Sequence, residues 1–358
     1  MSFEFADEGP KLAMLLYGVV AFVVVVGGLL LLLDAVPTWF ARRREARLAA
    51  AAETAAATGA ATPAPRRRMK AGRAEGLFGA FFLLPALLLL GIGLVVPAIR
   101  TTILSFKDGG SDNWVGLRNY GWMFAQDEIF QVLTNTLIWV FLVPLVATSI
   151  GLIYAVMVDR ARFEAVAKSL IFMPMAISFV GAGIIWKFVY AFRPEGADQI
   201  GLLNQIWVFF GGQPRQWLLD PPLNTLLLIV VMIWIQAGFA MVVLSAAIKA
   251  IPADIVEAAR LDGVNAWQMF SRVTLPSIKP ALIVVVVTIS IGTLKIFDIV
   301  RTMTNGNFET GVIANEMYNQ AFRFGQTGQG SALAVFLFVL VIPIVIYQIR
   351  NLRQQREV

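Results

Sequence analysis

Long apolar segments alternate with short polar ones along most of this chain. A helix of about 20 apolar residues is long enough to cross roughly 30 Å of hydrocarbon. Apolar segments of that length lie near Leu12–Leu33, Leu77–Ile99, Val132–Val158, Leu170–Phe192, Leu223–Ile248, Ala281–Val300 and Ser331–Ile349. The pattern therefore predicts an all-α membrane protein with seven transmembrane helices.

The positive residues between these segments predict how the chain is oriented. Lys and Arg accumulate in the cytoplasmic connections of membrane proteins. With the N-terminus outside, 19 of the 29 Lys and Arg residues fall on the inner side and eight on the outer side. This asymmetry explains the net charge of +6 better than nucleic-acid binding does. We therefore predict an outer N-terminus and a cytoplasmic C-terminus.

The segments also predict a domain organisation. Residues 1–36 hold an extra span, whose acidic leader and following arginines distinguish it from a cleaved signal peptide. Residues 37–76 form an Ala- and Arg-rich cytoplasmic linker, which we interpret as a tether, with a lipid-binding basic patch as the alternative. Residues 77–350 hold a six-helix domain with a polar loop at 249–280, and residues 351–358 form a cytoplasmic tail.

The polar loop predicts two short helices joined by a tight turn. Pro252 suits the first turn of a helix, and Gly263 suits a left-handed C-cap. Asn265 is expected to cap the second helix, with Gln268 as its capping-box partner. That helix is expected to stop at Pro276. A solvated loop whose charges face water is the alternative to a surface that binds a partner.

The residue types exclude several kinds of chemistry. Cysteine and histidine are absent, which removes thiolate metal sites, the commonest metal ligand and the commonest general base. The sequence contains no phosphate loop and no nucleophile elbow, so we predict neither an enzyme nor a cofactor. Lys295 and Asp298 are charged residues inside a predicted span, three positions apart, and are expected to share a helix face. A structural ion pair is the first interpretation and a functional pair the second.

The polar loop carries a spaced motif in addition to its helix signals. It reads EAARLDG and continues to a Leu-Pro pair and a further proline. This motif resembles the cytosolic loop of binding-protein-dependent ABC import permeases. The matching residues are Glu257, Ala258, Ala259, Asp262, Gly263, Phe270, Leu275, Pro276 and Pro280.

The resemblance implies a multi-pass subunit of a bacterial inner membrane. In that family the loop is a coupling helix that docks on an ATPase. This implies a docking helix at residues 252–263, and a part in the coupling for Phe270, Leu275 and Pro276 as well. The implied partners are a second permease subunit, an ATP-binding cassette ATPase dimer, an extracytoplasmic sugar-binding protein and an oligosaccharide. Because the sequence has no phosphate loop, ATP hydrolysis is expected in a separate chain.

Two further segments narrow the resemblance. VGLRNYGWMF at 115–124 is similar to a segment of sugar-importer permeases, and FDIVRTMTNGNFET at 297–310 resembles the alpha-glucoside branch of the maltose-type group. Many members have a Gly-Gly-Pro in this segment, whereas this chain has Asn305, Gly306, Asn307 and Phe308, a departure from the commonest sugar permeases. The family's transmembrane sugar site lies on the spans that correspond to the fifth and sixth here. The implied sugar-binding residues are Gln236, Phe239, Thr293 and Phe297, with ordinary interhelical packing as the alternative.

Two other classes of membrane protein are alternatives. A secondary sugar transporter needs no ATPase, but it is expected to carry a coupling carboxylate near the middle of the membrane, and such carboxylates are scarce here. A seven-span receptor fits the topology but does not require the 257–280 motif. A retinal protein needs a lysine in its last span, and residues 331–349 contain none.

Overall fold

The computed structural model describes residues 83–159 and 162–354; the predicted first span and the 37–76 linker lie outside them. Regular structure in the described ranges is helical, apart from a single bridge between Lys107 and Trp114. The helices, in chain order, are α1 Leu83–Leu104, α2 Arg118–Ala125, α3 Asp127–Val158, α4 Glu164–Phe172, α5 Phe179–Val189, α6 Leu202–Phe209, α7 Leu223–Lys249, α8 Ala253–Leu261, α9 Ala266–Leu294, α10 Asp298–Met303, α11 Ile313–Tyr318 and α12 Thr327–Gln354.

Five of the described helices, α1, α3, α7, α9 and α12, are long and apolar enough to cross a membrane. They confirm the spans predicted at Val132–Val158, Leu223–Ile248 and Ser331–Ile349. The described part of the Leu77–Ile99 prediction lies in α1. Residues 83–96 belong to one compact unit and residues 97–358 to another, and the packing below concerns the second unit.

The prediction of one continuous span at Leu170–Phe192 is wrong. The chain forms two helices, Glu164–Ala176 and Phe179–Val189, that meet at an angle of 102°. Pro174 lies in a 3₁₀ turn, Ile177 is extended, and the Ser178 hydroxyl caps α5 by accepting from the Gly181 amide. The apolar composition gave no sign of this bend, because both helices are hydrophobic.

The predicted sixth span, Ala281–Val300, has both boundaries wrong. Helix α9 begins at Ala266 and ends at Leu294. It continues through Pro276 because residues Met269–Thr274 form a π-helical turn, in which the Leu275 amide donates to the Phe270 carbonyl. The wider turn shifts the hydrogen-bond register, so that the missing proline N–H does not end the helix.

Helices α3 and α7 form the centre of the packing. Their close approach requires Gly151, where a Cβ would lie 2.4 Å from the Ala240 Cβ and 2.8 Å from the Met241 amide nitrogen. Gly238 lets the end of α4 approach the other side of α7, since a Cβ there would lie 2.5 Å from the Ile171 carbonyl oxygen. These glycines let α3 and α4 pack closely on α7, which also contacts α9. The C-terminal ends of α3 and α7 lie beside the polar loop.

Candidate functional site

Helix α8 and the turn that ends it form the first half of the polar loop. Pro252 is the N-cap residue, and the helix ends at Leu261. Gly263 then takes φ +75°. Its amide donates to the Arg260 carbonyl at 3.0 Å, and the Val264 amide donates to the Ala259 carbonyl at 3.3 Å. These two bonds form a Schellman motif, so the predicted left-handed cap at Gly263 is confirmed.

The second half of the loop is the beginning of α9. The Asn265 Oδ1 accepts from the Gln268 amide at 2.8 Å, and the Gln268 Oε1 accepts from the Asn265 amide at 2.9 Å. The predicted capping box is therefore confirmed. The predicted stop before Pro276 is wrong, since α9 runs on as a single long helix. Two consecutive caps fix the turn between α8 and this helix at residues 262–265.

The surface of the loop is unusually open. No residue of α8 is buried. Of the residues predicted to couple to an ATPase, Glu257, Ala258, Asp262, Gly263 and Pro276 are exposed, while Ala259, Phe270 and Leu275 are half-buried.

Two apolar side chains that sequence reasoning missed stand out on this surface. Leu261 is 88% exposed and Trp267 is 71% exposed, one on each side of the Gly263 turn. Leu261 directly precedes Asp262 and Gly263 at the tip, and a large apolar residue at the last position of a polar helix was the available signal. Exposed apolar side chains on a polar loop indicate a surface that another chain covers.

A cleft of about 940 Å³ separates α8 from the C-terminal ends of α3 and α7. Glu257 and Arg260 line its α8 side, Asp159 lines the α3 end, and Met269 and Phe270 belong to the α9 side. Of the predicted coupling residues, Glu257 and Phe270 meet at this cleft, and the others lie on the remaining surface of the loop.

A network of charged side chains forms the wall of the cleft opposite α8. The Lys249 ammonium contacts the Glu164 carboxylate and lies 3.7 Å from the Asp159 Oδ1. The Lys168 Nζ lies 2.6 Å from the Glu164 Oε1 and donates to the buried Ser245 hydroxyl. The network joins α4 and α7 to the residue that follows α3, so that three helix ends are held together beside the loop.

The residues predicted to bind sugar lie in different surroundings. Gln236 and Phe239 are half-buried on α7, and Phe239 packs against the main hydrophobic core. The Gln236 Nε2 lies 3.7 Å from the position of a Cβ on Gly292, next to Thr293. Thr293 is fully buried, and its hydroxyl donates to the Ile289 carbonyl. The structure therefore brings Gln236 close to the Thr293 region across the α7–α9 contact.

The placement of Phe297 on the same helix as Thr293 is wrong. Helix α9 ends at Leu294, and Phe297 is the N-cap of α10 with φ −133°. The same break separates Lys295 from Asp298, so the predicted shared helix face is also wrong. Among the ion pairs of the described residues, none joins Lys295 to Asp298. The apolar pattern continues across the break, which concealed it.

Comparison with known proteins places these features in context. Residues 147–357 match the family described as "Binding-protein-dependent transport system inner membrane component". The chain is 50% identical over 276 residues to the osmoprotective compounds uptake permease protein GgtC of Synechocystis sp., covering 77% of this chain and 99% of that protein. It is 49% identical over 271 residues to the alpha-glucoside transport system permease protein AglF of Rhizobium meliloti, covering 75% of this chain and 81% of that protein.

A solved structure shows the same fold. It is a bacterial ABC transporter involved in the import of the acidic polysaccharide alginate, with a TM-score of 0.69 and 24% sequence identity. The match covers 80% of this chain and 98% of the alginate transporter chain. The loop at 249–280 lies within the residues that match the family.

Proposed function

This chain belongs to the family of inner membrane components of binding-protein-dependent transport systems, and from that premise we propose that it is the permease subunit of an ATP-driven oligosaccharide importer. The proposed substrate is an alpha-glucoside such as maltose or trehalose. The proposed partners are a second permease, an ATPase dimer and an extracytoplasmic sugar-binding protein. The similarity to an alpha-glucoside permease at 49% identity supports the substrate class.

The proposed orientation places the 249–280 loop in the cytoplasm and gives the chain seven spans with an outer N-terminus. The distribution of Lys and Arg supports this orientation. The absence of a phosphate loop from the sequence supports an ATPase on a separate chain. That ATPase would reach the membrane subunit from the cytoplasmic side, where the exposed loop lies.

The coupling proposal rests on a single observation: α8 has no buried residue and presents Leu261 at its tip. A nine-residue helix without a buried face gains little stability from this chain alone, and a groove on an ATPase would cover it. Residues 252–263 form the proposed docking helix. Trp267, Phe270 and Leu275 continue this surface onto the beginning of α9.

The geometry gives the loop a way to transmit movement. The two caps at 262–265 fix α8 to α9, and α9 has 29 residues. A helix of that length spans roughly 43 Å, more than the hydrocarbon thickness. Closure of the ATPase dimer would push α8, and α9 would carry the movement to the opposite membrane surface. Alternating access would follow from the rocking of α9 with the helices that pack on it.

The proposed sugar path follows the α7–α9 contact. Gln236 offers an amide near Gly292, and Phe239 and Thr293 lie on the same pair of helices. Phe297 lies beyond the end of α9, where it would meet the sugar on the outer side. Amide groups and aromatic rings are the polar and apolar elements that sugar sites combine.

Leu261→Glu tests the coupling proposal. Leu261 contributes almost no burial within this chain, so the substitution is expected to leave membrane insertion and pairing with the second permease intact. A charge in a hydrophobic groove carries a large desolvation cost, so co-purification of the ATPase and sugar uptake are expected to fall at least tenfold, an order-of-magnitude estimate.

Leu117→Glu is the matched control, because Leu117 is 69% exposed in the loop after α1, on the proposed outer side. The same substitution there is expected to leave ATPase co-purification unchanged. Normal ATPase binding and uptake in the Leu261 variant would contradict the coupling role. Uptake that persists after deletion of the ATPase would contradict the importer itself.

A further inference from the structure

Three aromatic rings lie in series beyond the end of α9. The Phe297 and Tyr318 ring centroids are 5.5 Å apart, and those of Tyr318 and Phe322 are 5.3 Å apart. Two of the three rings are accessible, since Tyr318 is 37% exposed and Phe322 is 76% exposed. Because α9 starts at the polar loop and crosses the fold once, the series lies at the opposite end of the bundle from that loop.

An arginine covers the central ring and is fixed in position. The Arg301 guanidinium carbon lies 4.7 Å from the Tyr318 ring centroid. Its Nη1 donates to the Asn319 Oδ1 at 2.9 Å. The Asn319 Nδ2 and the Gln320 Nε2 in turn donate to Glu316, at 3.3 Å and 2.7 Å. The guanidinium is therefore held by an amide, and within the described residues only one of its five N–H groups is engaged in this way.

The amide side chains that hold this cluster together are buried, whereas two of its aromatic rings are exposed. Asn319 is 8% exposed and Gln320 is 9% exposed, and both lie in the π-helical turn Asn319–Arg323. Turns of this kind cost helix stability and recur at functional sites. Buried amide side chains that are hydrogen-bonded to Glu316 therefore lie beneath rings that are themselves accessible.

The charge of the cluster indicates the class of ligand. Within the described residues, Arg301 forms no ion pair with a carboxylate, but Glu316 is linked to it through the shared Asn319 side chain. The two charges offset each other, so the cluster suits a neutral ligand. Flat aromatic faces accept the C–H face of a pyranose ring, and the free N–H groups of a fixed guanidinium donate to its hydroxyls.

We propose that Phe297, Arg301, Tyr318 and Phe322 form an outer subsite for a neutral saccharide. It receives a pyranose ring before the sugar reaches the α7–α9 contact at Gln236 and Thr293. This proposal rests on the proposed function for its ligand class, and it assigns Phe297 to the outer subsite.

A thiol-protection experiment tests the subsite directly. The natural chain has no cysteine, so Phe322→Cys gives it a single thiol. In right-side-out vesicles that hold the whole transporter, labelling of this chain by a membrane-impermeant maleimide is measured with and without trehalose or maltose. Saturating sugar is expected to slow the labelling of the Phe322 variant several-fold.

Phe324→Cys is the matched control, since Phe324 is 55% exposed and has its own arginine, Arg323, 5.8 Å from its ring centroid. Its labelling rate is expected to stay constant when sugar is added. Unchanged labelling at position 322, or equal slowing at both positions, would overturn the subsite.

A transport measurement separates the subsite from a structural role. Tyr318→Ala and Arg301→Gln are expected to lower the sugar taken up per ATP hydrolysed by roughly threefold to tenfold. Tyr318→Trp keeps an aromatic face and is expected to retain most of the uptake. Phe324→Ala is expected to match the unmodified protein.

Failure of the proposed substrate class and failure of the subsite give different results in these experiments. An unmodified transporter that takes up neither trehalose nor maltose would contradict the proposed substrate class. Normal uptake by that transporter together with normal coupling in the Tyr318 and Arg301 variants would overturn the subsite alone. Loss of the second permease from the purified complex in these variants would overturn it in favour of a subunit interface.

Discussion

At Gly263 the backbone conformation requires a glycine, whereas the packing does not. Its φ of +75° lies in the left-handed region, yet a Cβ at this position would meet no atom within 4 Å. The requirement for glycine is therefore set by the backbone alone, and a side chain there pays about 1–2 kcal/mol of conformational strain. Asn occupies the left-handed region more readily than other non-glycine residues, and β-branched residues do so least readily.

We therefore expect Gly263→Asn to retain coupling and Gly263→Val to lose much of it. Valine would favour release of the Schellman motif, which breaks its two backbone hydrogen bonds and changes the angle between α8 and α9 without a steric clash of the new side chain. ATPase co-purification and sugar uptake measure the effect. Gly211→Val is the matched control, because Gly211 has φ +85°, equally empty surroundings and a position in the loop after α6. Equal ATPase binding in all three variants would show that the turn geometry does not matter.

At the scale of elements, helices α3 and α7 approach each other closely at Gly151. Gly151 lies on α3, and a Cβ there would overlap Ala240 and the backbone of Met241 on α7. The neighbouring atoms belong to a helix backbone, so they cannot move aside as the end of a flexible side chain would. The steric overlap would be relieved if the two helices moved apart. That movement would disturb α9 and α4, which pack on α7.

Gly151→Ala is expected to destabilise the protein by about 1–3 kcal/mol through overpacking. Gly121→Ala is the control, because Gly121 lies in α2 with no atom within 4 Å of its Cβ position. Alanine at an open helical position is expected to stabilise by roughly 0.5–1 kcal/mol. Thermal unfolding of the purified transporter compares the two. A Gly151 variant as stable as the Gly121 variant would show that the α3–α7 contact tolerates separation.

Features that depend on residues close together in the sequence could be predicted, whereas features that depend on the fold could not. The Gly263 cap and the Asn265 capping box were predictable because each depends on residues within four positions of each other. The π-helical turn before Pro276 and the break at Lys295 were not. Pro276 favours the end of a helix, and the apolar residues on both sides of Lys295 favour a continuous one. The Arg301–Tyr318 contact was missed for a different reason: it joins α10 to α11 through space, and only the fold brings them together.

At the scale of the whole molecule, the helix directions fix which parts share a membrane surface. Asp159 follows the end of α3, Lys249 ends α7, and both line the cleft beside α8. The beginnings of α3 and α7 and the end of α9 therefore lie at the other surface, together with the loop that holds Trp114. The distribution of positive residues predicts that the α8 surface faces the cytoplasm.

Single cysteines in this cysteine-free chain test the orientation and the number of spans together. Trp114→Cys, at a position 67% exposed, and Glu8→Cys, before the predicted first span, are expected to react with an impermeant maleimide added to intact cells. Leu261→Cys is expected to react only after the cells are opened, with the ATPase removed so that the site is uncovered. If Glu8→Cys instead requires opening of the cells, the Leu12–Leu33 segment does not cross the membrane as proposed. If Leu261→Cys reacts in intact cells, the loop lies outside and no cytoplasmic ATPase can dock on it.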